Sequence, residues 1–297
     1  MKKIFMLILS LFAATLSYAQ TDVSLFWKKD SLQITELHSA EADQYRKVGH
    51  HGPAVENMYM AARIYFNNSG AIDIYSKQNP GLELRKYLWY PNKQQMANGA
   101  GCDEYRVGKT VGLGGISLWK NNQEIKLVAT RGRDVRVVKG DTCSYIEMIS
   151  RGVCYGSDSV DIAVRVYAYA NKRTMDVEAE CISGQKVQFM SGVNYHEGQE
   201  IIIDQAHIAV WGIHPADIVE NPLPIGGGIA FDNHKWRHVK NVEENGMKRI
   251  VSVMPCHKVR TTIVAACSRE SELNNSADFF KFVRSIRLAG TKKITKK

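Results

Sequence analysis

The chain has 297 residues, apolar and aromatic content ample for a large core, and a formal charge of +9. Lys2, Lys3, Lys292, Lys293, Lys296 and Lys297 sit at the two ends, and removing these six from +9 leaves +3 for the body. Charge placed this way argues against nucleic-acid binding. A mildly basic body is compatible with an acidic partner such as a uronic-acid sugar.

Residues 1–19 read as a cleavable signal peptide. Lys2 and Lys3 precede an apolar run over 4–16, and Ser17-Tyr18-Ala19 supplies the small residues of a cleavage site. The run is shorter than the ~20 residues of a spanning helix, and no later stretch is apolar enough to span. The expectation is an exported protein, periplasmic or secreted, with residues 20–290 as one domain and 291–297 as a basic tail. The six cysteines (Cys102, Cys143, Cys154, Cys181, Cys256, Cys267) are even in number, and export would permit disulfides. Several lie in apolar runs that suit buried free thiols equally, so no pairing follows. Their spacing fits no zinc site.

Strands dominate the reading in chain order. Residues 23–27 and 32–37 read as a first hairpin around Lys28-Lys29-Asp30. Residues 62–66 and 71–76 make a second, turned by Asn67-Asn68-Ser69-Gly70. A third joins 114–119 to 124–129, and 145–149 is a further strand. The alternation of 160–167 and 174–181 is strict: Val160, Ile162, Val164 and Val166 share one face, Asp161, Arg165 and Tyr167 the other. That is the pattern of half-buried antiparallel strands. Strands follow at 187–193, 207–211, 225–231, 249–254 and 261–266. One helix is predicted, over 277–286, capped by Ser276 and striped by Phe279, Phe282, Val283 and Ile286. The sum predicts an all-β protein, a large antiparallel β-sandwich with a short C-terminal helix packed outside the sheets.

Three stretches carry candidate chemistry. In residues 48–75, His50, His51, Glu56 and Asn57 lie on a loop that feeds the second hairpin, which bears Arg63 and Tyr75; polar loops held by a sheet are a common way to build a site. The Gly-rich segment 99–115 lacks the spacing of a phosphate loop and reads as a tight turn near a groove, presenting Asp103, Tyr105, Arg106 and Lys109. Tyr105 is a candidate acid or base if a cation lowers its pKa. The third stretch holds Asn194, His196 and Glu197, then Trp211 and His214, a ring face for a pyranose beside an imidazole. A metal among His50, His51, His196 and His214 is conceivable, but no pair has ligand spacing, and no metal or cofactor is expected. No GxSxG, HExxH or nucleotide fingerprint occurs.

The segments GHHGPAVENMYMAARIYF, YLWYPNKQQMANGAGCDEYRVGKTVGLGGISLW, NYHEGQ and VWGIHP resemble a family of secreted bacterial proteins, domain-of-unknown-function family 4861. Glu56, Asn57, Arg63, Asp103, Tyr105, Val107 and Gly108 fall on the family's pattern. Met58-Tyr59 depart from the Asp-Arg that often follows Glu-Asn there. The resemblance covers nearly the whole mature chain. It implies a galactose-mutarotase-like supersandwich and a place in the degradation of pectin or other uronic-acid polysaccharides.

On such a frame the expected activity is acid–base chemistry on an acidic oligosaccharide. For a lyase, His196 or Tyr105 would be base or acid, His51 and Arg63 would partner the carboxylate, and Glu56 would orient a histidine. A hydrolase would use Glu56 with Glu197 or Asp103. An epimerase would pair His196 or His214 with Glu56. His50, Asn57, Tyr75, Asp103, Lys109, Asn194 and Trp211 would bind substrate. The alternative is a non-catalytic carbohydrate-binding or scaffold sandwich that stacks sugars on Trp211, Tyr75 and Trp89. An enzyme should gather His51, Glu56, Tyr105 and His196 in one pocket; a binding module need not.

Overall fold

The computed structural model describes residues 20–239 and 246–288. The expected signal peptide and basic tail lie outside the described residues. Three antiparallel sheets make up the fold. A nine-stranded sheet runs, in spatial order, Glu200–Ile203, His207–Gly212, Ile225–Ala230, Lys258–Cys267, Met175–Cys181, Asp158–Tyr169, Cys143–Tyr155, Arg133–Val138 and Glu36–Ser39. A four-stranded sheet (Asp22–Ser24, Ala54–Glu56, Met60–Ile64, Ile72–Ser76) and a five-stranded one (Trp236–His238, Met247–Ser252, Gln188–Asn194, Ser117–Lys120, Gln123–Ile125) complete it.

One apolar core joins the three sheets. Ile162, Val164 and Val166 of the long sheet, Val55, Ile64 and Ile74 of the four-stranded sheet, and Leu118, Phe189 and Val193 of the five-stranded one are all buried in it. This is the expected large antiparallel sandwich, and strand alternation decides which side chains reach the core. The polar face of the long sheet carries a cross-strand charge ladder. Arg165 sits opposite Glu147 and Glu178, bonds both, and reaches Glu180 as well.

The same alternation seats the C-terminal helix. Ile208, Val210 and Ile263 turn to the main core, while Ala209, Trp211, Val264 and Ala266 turn outward. The helix Ser276–Ser285 covers that outward patch with Phe279, Phe280 and Val283. Its cap is Asn275, whose side chain accepts from the Asp278 N–H, so the expected Ser276 cap is off by one residue. A second, short helix, Lys93–Ala97, was not expected; Asn92 caps it. Among the described residues no helix is long and apolar enough to cross a membrane.

The first expected hairpin is mostly not one. Phe26 bridges Gln33 and the Trp27 N–H reaches the Leu32 carbonyl, but the flanks then part. Asp22–Ser24 pairs with Ala54–Glu56, and Glu36–Ser39 pairs with Arg133–Val138. A short loop between two strand-like runs does not fix pairing when each run finds a better partner in a different sheet. The third hairpin forms, but shorter than read, as Ser117–Lys120 and Gln123–Ile125: Asn121 and Asn122 both take positive φ, the geometry that matches the strand twist in a two-residue turn. All six cysteines are free.

Candidate functional site

The second hairpin builds the centre of the site. Asn67 accepts from the Ser69 backbone and hydroxyl, closing the turn, and the resulting register sets Arg63 directly opposite Asp73. Arg63 is buried, yet its guanidinium is well supplied. It donates to Asp73 through Nε (3.0 Å) and Nη2, to Asp103 Oδ2 through Nη2 (3.0 Å), and to the Tyr90 hydroxyl through Nη1 (3.0 Å). The cation also lies 4.2 Å from the Trp89 ring centroid. Tyr65 donates to Asp73 Oδ2 at 2.8 Å.

Two buried carboxylates thus share one guanidinium. Burial pushes Asp103 well above the ordinary carboxylate range and the Asp73 charge adds to this, outweighing the pull of Arg63. Burial raises Asp73 as well. Like charges this close cannot both ionise cheaply, so each carboxylate makes the other harder to ionise. Asp103 is the member that lines the cleft.

His51 is the other reactive group. It stands in a tight turn, Gly49–His51, where His50 and His51 both take left-handed φ values of 52° and 61°. Side chains are strained there, and the surroundings must hold them. The Gly49 N–H bonds the Phe26 carbonyl, and the Phe66 N–H bonds the His51 carbonyl. Glycines flank the pair because a Cβ at Gly49 would lie 2.0 Å from the Phe26 ring, and one at Gly52 1.9 Å from the Ile64 carbonyl oxygen. The His51 ring stacks on Tyr45, centroids 3.9 Å apart, and its Nδ1 lies 2.7 Å from the Tyr45 carbonyl. A carbonyl only accepts, so Nδ1 carries the proton and Nε2 keeps its lone pair. Burial, then the charges of Arg63, Lys28 and Arg46, lower the His51 pKa to about 4 against the Tyr45 bond. The imidazole is neutral at pH 7.

These groups border a cleft of about 300 Å³, lined among others by Tyr45, His51, Arg63, Tyr65, Tyr90 and Asp103. The segment 103–108 forms one wall and residues 215–222 the facing one. Burial raises the pKa of all three tyrosines, Tyr90 to about 12, so their hydroxyls are neutral donors. The cleft therefore offers a neutral imidazole, a carboxyl whose pKa is raised well above the ordinary range, and neutral hydroxyls.

Of the residues singled out in the sequence, His51, Arg63, Asp103, Tyr105 and Arg106 line this cleft. Glu56 does not. It is fully buried and bonds Lys77 and the backbone N–H groups of Glu83 and Leu84. Tyr105 borders the cleft with its ring, but its hydroxyl accepts from the Asn194 N–H and burial raises its pKa, the opposite of the expected lowering. Arg63 is occupied by two aspartates, so it is no free carboxylate partner. His196 and His214 bond each other (3.1 Å), and neither lines the cleft. His214 also accepts from the Arg106 N–H and packs on Tyr105; burial lowers it to about 3.

The remaining candidates hold structure. Asn194 donates to the Arg106 and Val107 carbonyls and accepts from Thr110, clasping the cleft wall. Asn57 shapes its own turn by accepting from the Tyr59 and Met60 N–H groups. His50 is buried against Phe26, 3.0 Å from the Ser24 hydroxyl. Tyr75 is buried and donates to Glu83. Trp211 lies under the helix on Phe279, and Trp89 is buried behind Arg63. Lys109 and Glu197 are exposed, away from the cleft.

Tyr45, Tyr65, Asp73, Tyr90 and the 215–222 wall were missed. Asp73 had a usable signal: a turn at 67–70 fixes a register that puts it opposite Arg63. Among the described residues no three His, Cys, Asp or Glu side chains cluster as a metal site would.

An antiparallel sandwich with a polar cleft beside its four-stranded sheet is thus the class of protein that fold and site define. The chain belongs to the family described as a domain of unknown function, DUF4861, whose model matches residues 13–295. No curated protein matches it.

Proposed function

We propose that the protein is an exported enzyme of uronic-acid oligosaccharides and that it cleaves them by β-elimination. One observation carries the reading: a single cleft holds an imidazole that is neutral at pH 7 and a carboxyl that burial and the neighbouring Asp73 push well above the ordinary carboxylate range. Titratable groups whose pKa values are pushed apart in this way make a base and an acid. His51 Nε2 takes the C5 proton. The C5–H electrons form the C4–C5 double bond, the C4–O bond breaks, and Asp103 gives its proton to the leaving oxygen. Arg106 lines the cleft with an exposed guanidinium and supplies the charge that faces the sugar carboxylate. The mutarotase-like frame that the family resemblance implies is compatible with this chemistry.

Hydrolysis fits less well. It needs a second free carboxylate facing the bond. Asp73 is buried behind Arg63, both oxygens of Glu104 are engaged, by the Leu223 N–H and by Ser76 and Arg269, and the exposed Asp217 lies 3.9 Å from Arg106, the cation assigned to the sugar carboxylate. The aromatic wall of Tyr45, Tyr65 and Tyr90 also suits a binding module without chemistry, which is the second reading.

The purified chain from residue 20 onward is incubated with uronic-acid oligosaccharides. Ultraviolet absorbance of an unsaturated uronate and reducing ends are followed together. Absorbance that disappears in both His51→Ala and Asp103→Asn supports elimination. Reducing ends without absorbance mean hydrolysis, and sugar binding without either product means a binding module.

A further inference from the structure

The cleft does not end at Asp103. A second chamber of about 500 Å³ opens on its far side, lined by Asn92, Lys93, Met96, Cys102 and residues 218–221. Tyr90, Asp103, Ile218 and Val219 border both chambers. The acid therefore stands on the partition between two spaces. The first chamber alone is at the lower limit of a ligand-sized cavity, and the two together fall in the upper half of that range, which runs roughly from 300 to 1,000 Å³.

The segment 215–222 borders both spaces, and its ties are of two kinds. The Leu223 N–H donates to the buried Glu104 carboxylate, a firm anchor at one end. Along its length it is held by Arg106, which approaches Asp217 (3.9 Å) and the Ala216 carbonyl, and by Lys93 with Glu220 (3.7 Å). Those ion pairs are largely exposed, and such pairs are weak. A strap of this kind can yield to a chain laid along the groove without the sandwich changing. Lys93 and Arg106 each face one chamber, so each offers a cation on its own side of Asp103.

We infer that the substrate is an oligosaccharide bound across Asp103, one acidic unit in the His51 chamber and the next in the chamber of Asn92, Lys93 and Met96, so that length is read by the second chamber. This presupposes that the cleft holds a sugar. It places the glycosidic oxygen between the units beside the acid that must protonate it.

The test is calorimetric binding of galacturonic, glucuronic and mannuronic acid, and of the trimer of each, to the chain from residue 20 onward and to Met96→Trp and Lys93→Glu. In the unaltered chain at least one trimer should bind about tenfold or more tighter than its own monomer. Met96→Trp fills the second chamber and Lys93→Glu reverses its charge; each should bring the trimer-to-monomer ratio close to one. The ratio is read within each protein, so a loss of stability does not imitate the effect. Equal binding of monomer and trimer by the unaltered chain, or a ratio untouched by both substitutions, overturns the inference while the sugar site stands. Failure of every saccharide to bind overturns both.

Discussion

Arg63 donates to Asp103 at 3.0 Å while the same guanidinium holds Asp73, so one cation is set between two buried acids. The arrangement makes Arg63 a structural counter-ion, while burial and Asp73 still hold the Asp103 pKa well above the ordinary range. Replacing Arg63 with Leu should strand both aspartates. Removing one partner of a buried ion pair costs about 3–5 kcal/mol, to be read from urea unfolding at pH 7. The sign with pH follows from the raised folded pKa values. Stability is lost as pH rises from the unfolded Asp value through the folded ones, so the deficit should be smaller at pH 5 than at pH 8.

Glu56 separates structure from chemistry. Its carboxylate binds Lys77 and the N–H groups of Glu83 and Leu84 at full burial. Glu56→Gln leaves the Lys77 charge without its anion and should cost a similar few kcal/mol. The kcat of the proposed elimination should stay unchanged, measured well below the variant's own melting temperature. A collapse of kcat with unaltered unfolding would return Glu56 to the catalytic set.

Tyr105→Phe tests the corrected role of that tyrosine. The hydroxyl accepts one backbone hydrogen bond, from Asn194, and burial keeps it protonated. The loss should be about 1 kcal/mol of stability, with no change in the pH profile of turnover.

His50 gives a pH prediction free of the active acid. Burial, with Arg63, His51 and Lys28 nearby, lowers its pKa to about 3, so it is neutral in the fold and takes a proton on unfolding below its ordinary value. A depressed pKa gives stability that is present above the unfolded value and is lost as pH falls. Between pH 6 and 4 this group should remove at most about 1.4 kcal/mol per pH unit. His50→Gln should lack that share, so the gap between the two proteins should narrow on acidification. Paired unfolding curves isolate it, because contributions from Asp73 and Asp103 cancel.

The fold was largely legible in the sequence because two-residue alternation survives wherever one strand face is buried. The strands at 160–167 and 174–181 pair as read. What alternation could not give was pairing between distant segments, and so residues 23–37 were assigned to one hairpin although they serve two sheets. The site was legible only around the second hairpin. There the turn at 67–70 is local and sets Arg63 opposite Asp73, and His51 and Asp103 join Arg63 at the cleft. Tyr45, Tyr90 and the 215–222 wall arrive from loops whose positions depend on tertiary packing. The His196–His214 pair and Glu56 lie outside the cleft: residue type suggested reactivity, but the two histidines bond each other, and the buried Glu56 carboxylate is engaged by Lys77 and the N–H groups of Glu83 and Leu84.

The central claim is a protonation pattern, and nuclear magnetic resonance reads it directly. The chain is labelled with ¹⁵N in histidine and ¹³C in the aspartate carboxyls, assigned with His51→Gln and Asp103→Asn, and titrated from pH 4 to 9. The account predicts a His51 imidazole that is neutral at pH 7, protonated on Nδ1 and charged only towards pH 4, beside an Asp103 carboxyl still protonated well above the ordinary aspartate range. A His51 that titrates near its usual value, with Asp103 already ionised at pH 5, would contradict it.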